Sequence, residues 1–289
     1  MGVTFQEFKF LEYINNSINF GNVLTIGRQE LILNIKDKIR LNLLNTEFSN
    51  DKFIDNLLLK KFKAISVNSL DNSDFEGANI ICDMNLPINS NKNKFDTIID
   101  FGTTEHIFNA PQGLQNISDL SKNGGTIIHS LPSNNNCGHG FWQFSPELFF
   151  SLYSEKNGFK NTELFIFDTY NKYDFWKVDK QNLGERLELT SDVALYLLIK
   201  TTKIKEITSQ IVQQSDYVYQ WNEVNKRKIN SKKNTSIIWK KFKDEIKSIF
   251  YENILPLKLS ERLQGKKISK KNLYNKNIYL KKIKFYDYK

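Results

Sequence analysis

Short runs of apolar residues alternate with longer amphipathic segments over the first 200 residues of the chain. Runs of four to eight apolar residues are typical of strands buried on both faces of a sheet. The runs therefore predict seven strands. They lie at residues 23–26, 64–67, 78–82, 97–99, 126–131, 164–167 and 193–199.

The segments between these runs predict helices. Leucine and isoleucine residues recur at helical spacing from residue 29 to 44, and the same spacing returns at 236–250. Pro111 is typical of a first helical turn, and Ser145 is a helix cap residue followed by a helix that ends at Gly158. Strands alternating with helices predict an α/β fold with a doubly wound, mostly parallel seven-stranded sheet and a C-terminal helical extension. We place a domain boundary between residues 1–203 and 204–289. The last two strands have no strong helix between them, which favours an antiparallel hairpin at the sheet edge.

The net charge of +9 is confined to one end of the chain. Residues 256–289 carry eleven lysine and arginine residues and two acidic residues, so the remainder is neutral. Tyrosine and isoleucine residues are interleaved with these charges, which leaves open docking on the chain's own domain, a partner subunit, an anionic membrane surface or nucleic acid. The oligomeric state stays undetermined.

The composition indicates a soluble cytoplasmic protein with a packed core. Hydrophobic residues make up 40% and aromatic residues 13% of the 289 residues. No apolar run reaches the roughly 18 residues that a transmembrane helix needs, and the first residues do not resemble a secretory signal. Cys82 and Cys137 are predicted to be free thiols.

Residues just after the predicted strands are candidates for the functional site, because ligands of open parallel sheets bind beyond the carboxyl ends of the strands. These segments begin at Gly27, Asn68, Asp83, Asp100 and Ser130. All three histidines of the chain lie in or beside the last two segments. The chemistry is therefore expected there.

Three segments resemble class I S-adenosylmethionine-dependent methyltransferases, in a bacterial branch of uncertain substrate. FDTIIDFGTTEHIFN with LSKNGGTIIHSLP resembles the fourth and fifth strand blocks of that family, and SLDNSDFEGANIICDMN resembles its second and third strand ends. NNNCGHGFWQFSPELFF is similar to a branch-specific substrate loop. The resemblance spans residues 22 to about 200 and implies a Rossmann-like methyltransferase fold with S-adenosylmethionine as cofactor.

The resemblance implies roles for residues at the strand ends. Gly27 would let the backbone approach the methionine part of the cofactor. Asp71 would accept hydrogen bonds from the two ribose hydroxyls, since a carboxylate can accept from both. Asp83 would meet the adenine amino group, with Met84 beside the base.

The methionine end of the cofactor is expected near Asp100 and Gly102. The first motif departs from the family, because Thr25 stands where an acid is usual and Gln29 where a second glycine is usual. The tight turn and the polar contact to the cofactor's amino group are thus in doubt. A scaffold that has lost cofactor binding stays open as an interpretation.

His139 and His106 are the catalytic candidates. His139 lies between two glycines, which permit close approach to a ligand, and it could take a proton from an acceptor hydroxyl or simply shape the loop. His106 follows Glu105, where a packing or capping role competes with catalysis. Some family members hold a divalent ion with a Glu-His pair there, but we assign no metal. His129, inside the fifth strand, is expected to be a core or pocket-wall residue.

Asn136, Phe141 and Trp142 are the predicted substrate-binding residues. The two aromatic side chains could form a wall that stacks on the substrate and excludes water, or they could belong to the ordinary core.

The sequence therefore predicts an S-adenosylmethionine-dependent enzyme that methylates an oxygen of a sugar or another small metabolite, with surface-polysaccharide synthesis as one setting. Two alternatives remain open. One is a nucleic-acid methyltransferase guided by the basic tail, and the other is a non-catalytic binding scaffold built on a decayed methyltransferase fold.

Overall fold

The computed structural model describes residues 2–44, 46–48, 50–180, 186–187, 190–206, 212–229, 267–268 and 280–283. The described helices are α1 (Phe5–Asn15), α2 (Ile35–Arg40), α3 (Asp55–Lys60), α4 (Ala110–Leu120), α5 (Pro146–Leu152) and α6 (Ser215–Ile229), with 3-10 turns at Thr104–His106 and Glu155–Asn157. The described strands are β1 (Gly2–Val3), β2 (Asn22–Ile26), β3 (Glu30–Leu31), β4 (Ser66–Asp71), β5 (Ile80–Ile81), β6 (Phe95–Phe101), β7 (Ser121–Pro132), β8 (Phe159–Asp168), β9 (Phe175–Val178), β10 (Thr190–Ser191), β11 (Leu195–Lys203), β12 (Lys267–Ile268) and β13 (Leu280–Ile283).

One large sheet organises the chain, and its nine described strands have the order β13-β9-β8-β11-β7-β6-β2-β4-β5. The chain builds outward from β2 to β4 and β5 on one side, then returns to place β6 and β7 on the other side, all in parallel. The strand order therefore reverses between β2 and β6. In a doubly wound sheet, ligands bind beyond the carboxyl ends of the strands at this reversal.

The sheet confirms the predicted α/β, mostly parallel fold, with two differences at one end. The predicted antiparallel pairing of the last two strands occurs between β8 and β11, but β9 and β10 lie between them in the chain, and β11 inserts between β7 and β8 instead of lying at the sheet edge. The seven predicted strands are all present, and β9 and β13 extend the sheet beyond β8. Within the described sheet only β11 and β9 run against the other strands.

Both faces of the sheet are buried, which explains why its strands are continuous apolar runs. Alternate residues of one strand belong to different hydrophobic clusters, because successive strand side chains point to opposite faces. Leu24, Ile98 and Ile127 pack on the face covered by α4 and α5, whereas Val23, Ile99 and Ile128 pack on the face covered by α1 and α3.

The helix predicted at 29–44 is shorter than expected. Residues 30–31 form β3, which pairs in parallel with β1, and only α2 is helical. Asn34 and Asp37 form a reciprocal capping box, which sets the start of α2 after the strand. Helix α1, which the apolar pattern did not reveal, also begins with a capping box, formed by Thr4 and Glu7.

Little of the predicted extension falls within the described residues. Helix α6 belongs to it, and β13 pairs antiparallel with β9 of the large sheet. The helix predicted at 236–250 lies outside the described residues, as does most of the basic tail. Among the helices of the described ranges, none has the length and apolar character needed to cross a membrane.

The carboxylate of Glu163 on β8 contacts side chains from α1, β9 and β11. It accepts hydrogen bonds from Lys177 on β9 at 2.7 Å and from Tyr13 on α1 at 3.2 Å, and Lys200 lies 3.7 Å away. Burial alone would raise the pKa of Glu163, but these hydrogen bonds and positive charges outweigh it and hold the pKa below its usual value. The ionised form therefore stabilises the folded state.

We expect Glu163→Gln to lower the free energy of unfolding at pH 7 by about 1 kcal/mol. Because the folded-state pKa is lowered, this stabilisation is present above the unfolded-state pKa of about 4.3 and is lost as the pH falls through the folded value. Urea unfolding of both proteins at pH 7 and at lower pH measures the difference. Glu155→Gln, at an exposed glutamate, is the control and should change little. An equal loss at every pH would contradict the role of the charge.

Candidate active site

Three predicted cofactor residues follow the carboxyl ends of the neighbouring parallel strands β2, β4 and β5. Gly27 directly follows β2 with a φ of 71°, a conformation that favours glycine, and its N–H donates to the Leu70 carbonyl at 2.7 Å. Asp71 ends β4 and pairs in register with Ile81, so Asp83 follows two residues beyond the neighbouring strand. Neighbouring parallel strands thus bring both carboxylates to the same edge.

The two carboxylates have open environments. Asp71 is half-buried and accepts a hydrogen bond from the Asn72 N–H at 2.6 Å through one oxygen. Asp83 is exposed, and hydrogen bonds from the backbone and then the side chain of Asn85 hold its pKa below the usual value. Met84 beside it is buried. Both carboxylates therefore remain accessible to a ligand.

The departures in the first motif have structural roles. The Gln29 side chain is buried and donates from Nε2 to the Ile26 carbonyl at 2.8 Å, while its Oε1 has no hydrogen-bond partner among the described residues. Thr103 Oγ1 donates to the same carbonyl at 2.6 Å. Thr25 is buried in β2, with its hydroxyl 3.4 Å from the Asn68 carbonyl. Two side chains thus hold the turn after β2.

Arg28 links the turn after β2 to two other segments of the chain. Its guanidinium donates to the carbonyls of Glu76 and Gly77 at 3.0 and 3.1 Å and pairs with Asp55 at 3.2 Å. It also lies 4.3 Å from the centre of the Phe53 ring. The turn after β2 is therefore joined to the segment between β4 and β5.

Asp100 is fully buried at the end of β6 and faces a hydrogen-bond network. It accepts from the N–H groups of Thr103 and Thr104 at 3.2 Å each and from Thr104 Oγ1 at 2.6 Å. His129 Nδ1 lies 2.8 Å from its other side, and His129 Nε2 lies 2.6 Å from the Tyr153 hydroxyl. Burial, and then the charge of Asp100, raises the pKa of Tyr153. His129 is a core residue, as the sequence suggested.

A cavity of about 750 Å³ opens beside this network. It lies among the start of α1, the segment from β3 to α2 and the ends of β6 and β7. All predicted site residues lie in the described part of the chain, and of these Gly102, His106 and His139 line the cavity. Asp71 and Asp83 do not line it. The predicted residues thus form two groups. The strand-end group consists of Gly27, Asp71 and Asp83, and the cavity group consists of Gly102, His106 and His139.

The N-terminal segment supplies cavity residues that the sequence analysis missed. Glu7 accepts a hydrogen bond from Ser130 Oγ at 2.8 Å and from the Thr4 N–H at 3.0 Å. Asp37 and Lys172 form an ion pair of 2.9 Å farther along the wall. The Thr-x-x-Glu capping signature at residues 4–7 could have revealed α1, but its position over the cavity has no local signal.

Glu105 is a buried carboxylate between two histidines. Its side chain has no exposed surface, and neither oxygen has a hydrogen-bond partner among the described residues. Its Oε1 lies 3.5 Å from His139 Nε2 and 3.9 Å from His106 Nε2. Burial, and then the charge of Asp100, raises the pKa of Glu105 to about 8. Burial also lowers the pKa of His106.

The loop that carries His139 is anchored to the protein's own backbone. Asn136 is buried, and its Nδ2 donates to the Leu195 carbonyl at 2.7 Å. The Phe141 N–H donates to the Glu105 carbonyl at 2.8 Å, and Trp142 Nε1 donates to the Ile107 carbonyl at 3.0 Å. These contacts position the loop. Substrate contact by Asn136, Phe141 and Trp142 stays a prediction, and residue Phe141 is 68% exposed.

Solved structures similar to this chain include methyltransferases. A proposed methyltransferase from Bacillus halodurans C-125 is 12% identical with a TM-score of 0.39, over 68% of this chain and 98% of that one. A SAM-dependent methyltransferase from Thermotoga maritima is 13% identical with a TM-score of 0.38, over 70% and 90%. One from Aquifex aeolicus is 11% identical with a TM-score of 0.33, over 66% and 89%. No family model and no curated protein matches the chain. Because these TM-scores are low, the functional proposal depends on the site itself.

Gly140 lies where the His139 loop packs most closely on Glu105. Its φ is 76°, and a Cβ there would lie 2.8 Å from the Glu105 carbonyl oxygen and 2.9 Å from its Cγ. Gly138 has a φ of 87°, but a Cβ there would meet nothing within 4 Å. We expect Gly140→Ala to destabilise the protein by about 1 kcal/mol or more beyond Gly138→Ala, because only the first forces the loop away from Glu105. Urea unfolding compares them, and equal losses would contradict close packing of the loop on Glu105.

Proposed function

We propose that this chain is an S-adenosylmethionine-dependent methyltransferase that methylates an oxygen of a sugar or another small polar metabolite. One observation carries the proposal: Gly27, Asp71 and Asp83 follow the carboxyl ends of the neighbouring parallel strands β2, β4 and β5, and the next strands, β6 and β7, end at a cavity lined by Gly102, His106 and His139. A cofactor-binding edge therefore lies next to an acceptor-sized cavity.

The residues at this edge suit an adenosyl group. A ribose diol offers two hydroxyl donors, and the half-buried Asp71 has one oxygen with no described hydrogen bond that would compete. An adenine amino group is a donor, and the Asp83 carboxylate is an acceptor beside the buried Met84. Gly27 and Gly102 have left-handed backbone conformations that favour glycine, and neither carries a side chain that would obstruct a ligand. These features support binding despite Thr25 and Gln29.

S-adenosylmethionine supplies an electrophilic methyl group on a positively charged sulfur. The protein must then hold the acceptor in line with that methyl group and exclude water. Asp100 fixes the turn after β6 through its bonds to Thr103 and Thr104, so Gly102 keeps its place between the strand-end group and the cavity. The acceptor oxygen would lie near His106 and His139, where its proton must be released.

The cavity wall suits a hydroxyl-rich acceptor with apolar faces. Polar groups that can bond hydroxyls, including Glu7, Ser130 and Lys172, line the cavity together with the aromatic residues Phe167 and Tyr196. Polar groups placed among apolar and aromatic side chains fix the orientation of the ligand in small-molecule sites. This mixture supports a sugar or a related metabolite as acceptor.

Titration calorimetry with S-adenosylmethionine and S-adenosylhomocysteine tests the cofactor assignment. We expect saturable binding, weakened about tenfold or more by Asp71→Ala, because hydrogen bonds to a charged group contribute about 1.5–3 kcal/mol. Asp74→Ala, at an exposed acid of the same loop, is the matched control and should bind normally. No binding by the folded wild type would favour the decayed scaffold. Normal binding by Asp71→Ala would remove the ribose assignment.

A further inference from the structure

We propose that Glu105, His106 and His139 bind a divalent transition-metal ion in the wall of the cavity. One ligand atom from each residue lies within 4.8 Å of the others. Two ligands at about 2.1 Å from a tetrahedral ion are separated by about 3.4 Å. The observed separations of 3.5 and 3.9 Å between Glu105 Oε1 and the two Nε2 atoms therefore need only a small contraction.

The environment of Glu105 is the independent observation that points to a ligand. Its carboxylate is fully buried, and neither oxygen has a hydrogen-bond partner among the described residues. Burying a carboxyl group without any hydrogen-bond partner is costly, and coordination of a metal ion is one way in which proteins satisfy such a group. The two imidazoles beside it are about half exposed and line the cavity, so an ion can enter from there.

The three ligands are held in place by the surrounding structure. Glu105 and His106 belong to the 3-10 turn Thr104–His106, which Asp100 pins through Thr104. The absence of a Cβ at Gly140 lets the His139 loop pack directly on Glu105. The Phe141 N–H then bonds the Glu105 carbonyl. A positioned set of ligands is what a metal centre requires of its scaffold.

The ligand set selects the class of ion. Two imidazoles and one carboxylate suit Zn²⁺ and first-row ions such as Fe²⁺ and Co²⁺, whereas Mg²⁺ and Ca²⁺ prefer oxygen ligands throughout. Three protein ligands leave at least one coordination position open to the cavity. The arrangement therefore belongs to the class of sites that bind water or a substrate oxygen.

The role of this ion in methyl transfer rests on the proposed function. An acceptor hydroxyl at the open position would lose its proton more readily to water at the cavity mouth, because a bound cation stabilises the alkoxide. The oxygen lone pair would then form the bond to the methyl carbon while the C–S electron pair returns to sulfur. In this arrangement His139 is a neutral ligand rather than the general base.

Calorimetric titration of the chelator-treated full chain with Zn²⁺, Co²⁺ and Mg²⁺ tests the site. We expect one Zn²⁺ or Co²⁺ per chain, with the visible spectrum of a four- or five-coordinate Co²⁺ centre. Affinity should fall at least tenfold in Glu105→Gln, His106→Ala and His139→Ala, each confirmed to be folded by circular dichroism. Cys137→Ser is the matched control, since this exposed thiol lies in the same loop and should be dispensable.

Three results would overturn the proposal: no stoichiometric binding by the wild type, binding that the three variants leave unchanged, or preference for Mg²⁺ over Zn²⁺. Asp71→Ala separates this proposal from the proposed function, because it should weaken cofactor binding and leave Zn²⁺ binding intact. If the wild type binds Zn²⁺ but not S-adenosylmethionine, the metal site is supported and the proposed function is contradicted. If it binds S-adenosylmethionine but not Zn²⁺, only the metal site is contradicted.

Discussion

The carboxylate of Asp100 accepts hydrogen bonds from the turn that follows its own strand and from the neighbouring strand. Both oxygens are used, by Thr103 and Thr104 on one side and by Thr104 and His129 on the other. Through His129 the network reaches Tyr153 at the end of α5. Leaving a buried carboxylate oxygen without a hydrogen bond costs free energy, so the partners of Asp100 hold the residues around it in place. The exit from β6 is consequently fixed in direction.

That fixed exit determines where the site residues can be. Gly102 follows β6 and lines the cavity, and three residues later Glu105 is buried with His106 at the cavity wall. The His139 loop then closes on Glu105 through backbone bonds, and Asn136 anchors the same loop to the end of the β11 strand. The strand-end edge and the cavity thus share one rigid boundary. A proposed cofactor on one side and a proposed acceptor on the other would meet there.

Sequence patterns were sufficient for much of the fold and for part of the site. Apolar runs predicted the seven strands of a doubly wound sheet, because strands buried on both faces have no polar face to interrupt them. The strand ends also predicted where Gly27, Asp71 and Asp83 would lie, since parallel strands present their carboxyl ends at one edge. The helix at 29–44 was overestimated because apolar spacing alone does not show that Leu31 pairs with β1. The capping box of Asn34 and Asp37 instead marks where the helix starts.

What the chain determined by itself was local: the alternation of apolar runs and amphipathic helices, the caps, and the side chains available at each strand end. Only the tertiary structure decided which of those side chains are buried and which of them contact one another. Glu105 looks in the sequence like any acid before a histidine, but segments from elsewhere in the chain bury it and leave it beside His106 and His139. Asn136, a predicted substrate residue, bonds backbone carbonyls that include that of Leu195. Burial and partnership depend on contacts between distant segments, and periodicity along the chain contains no record of them.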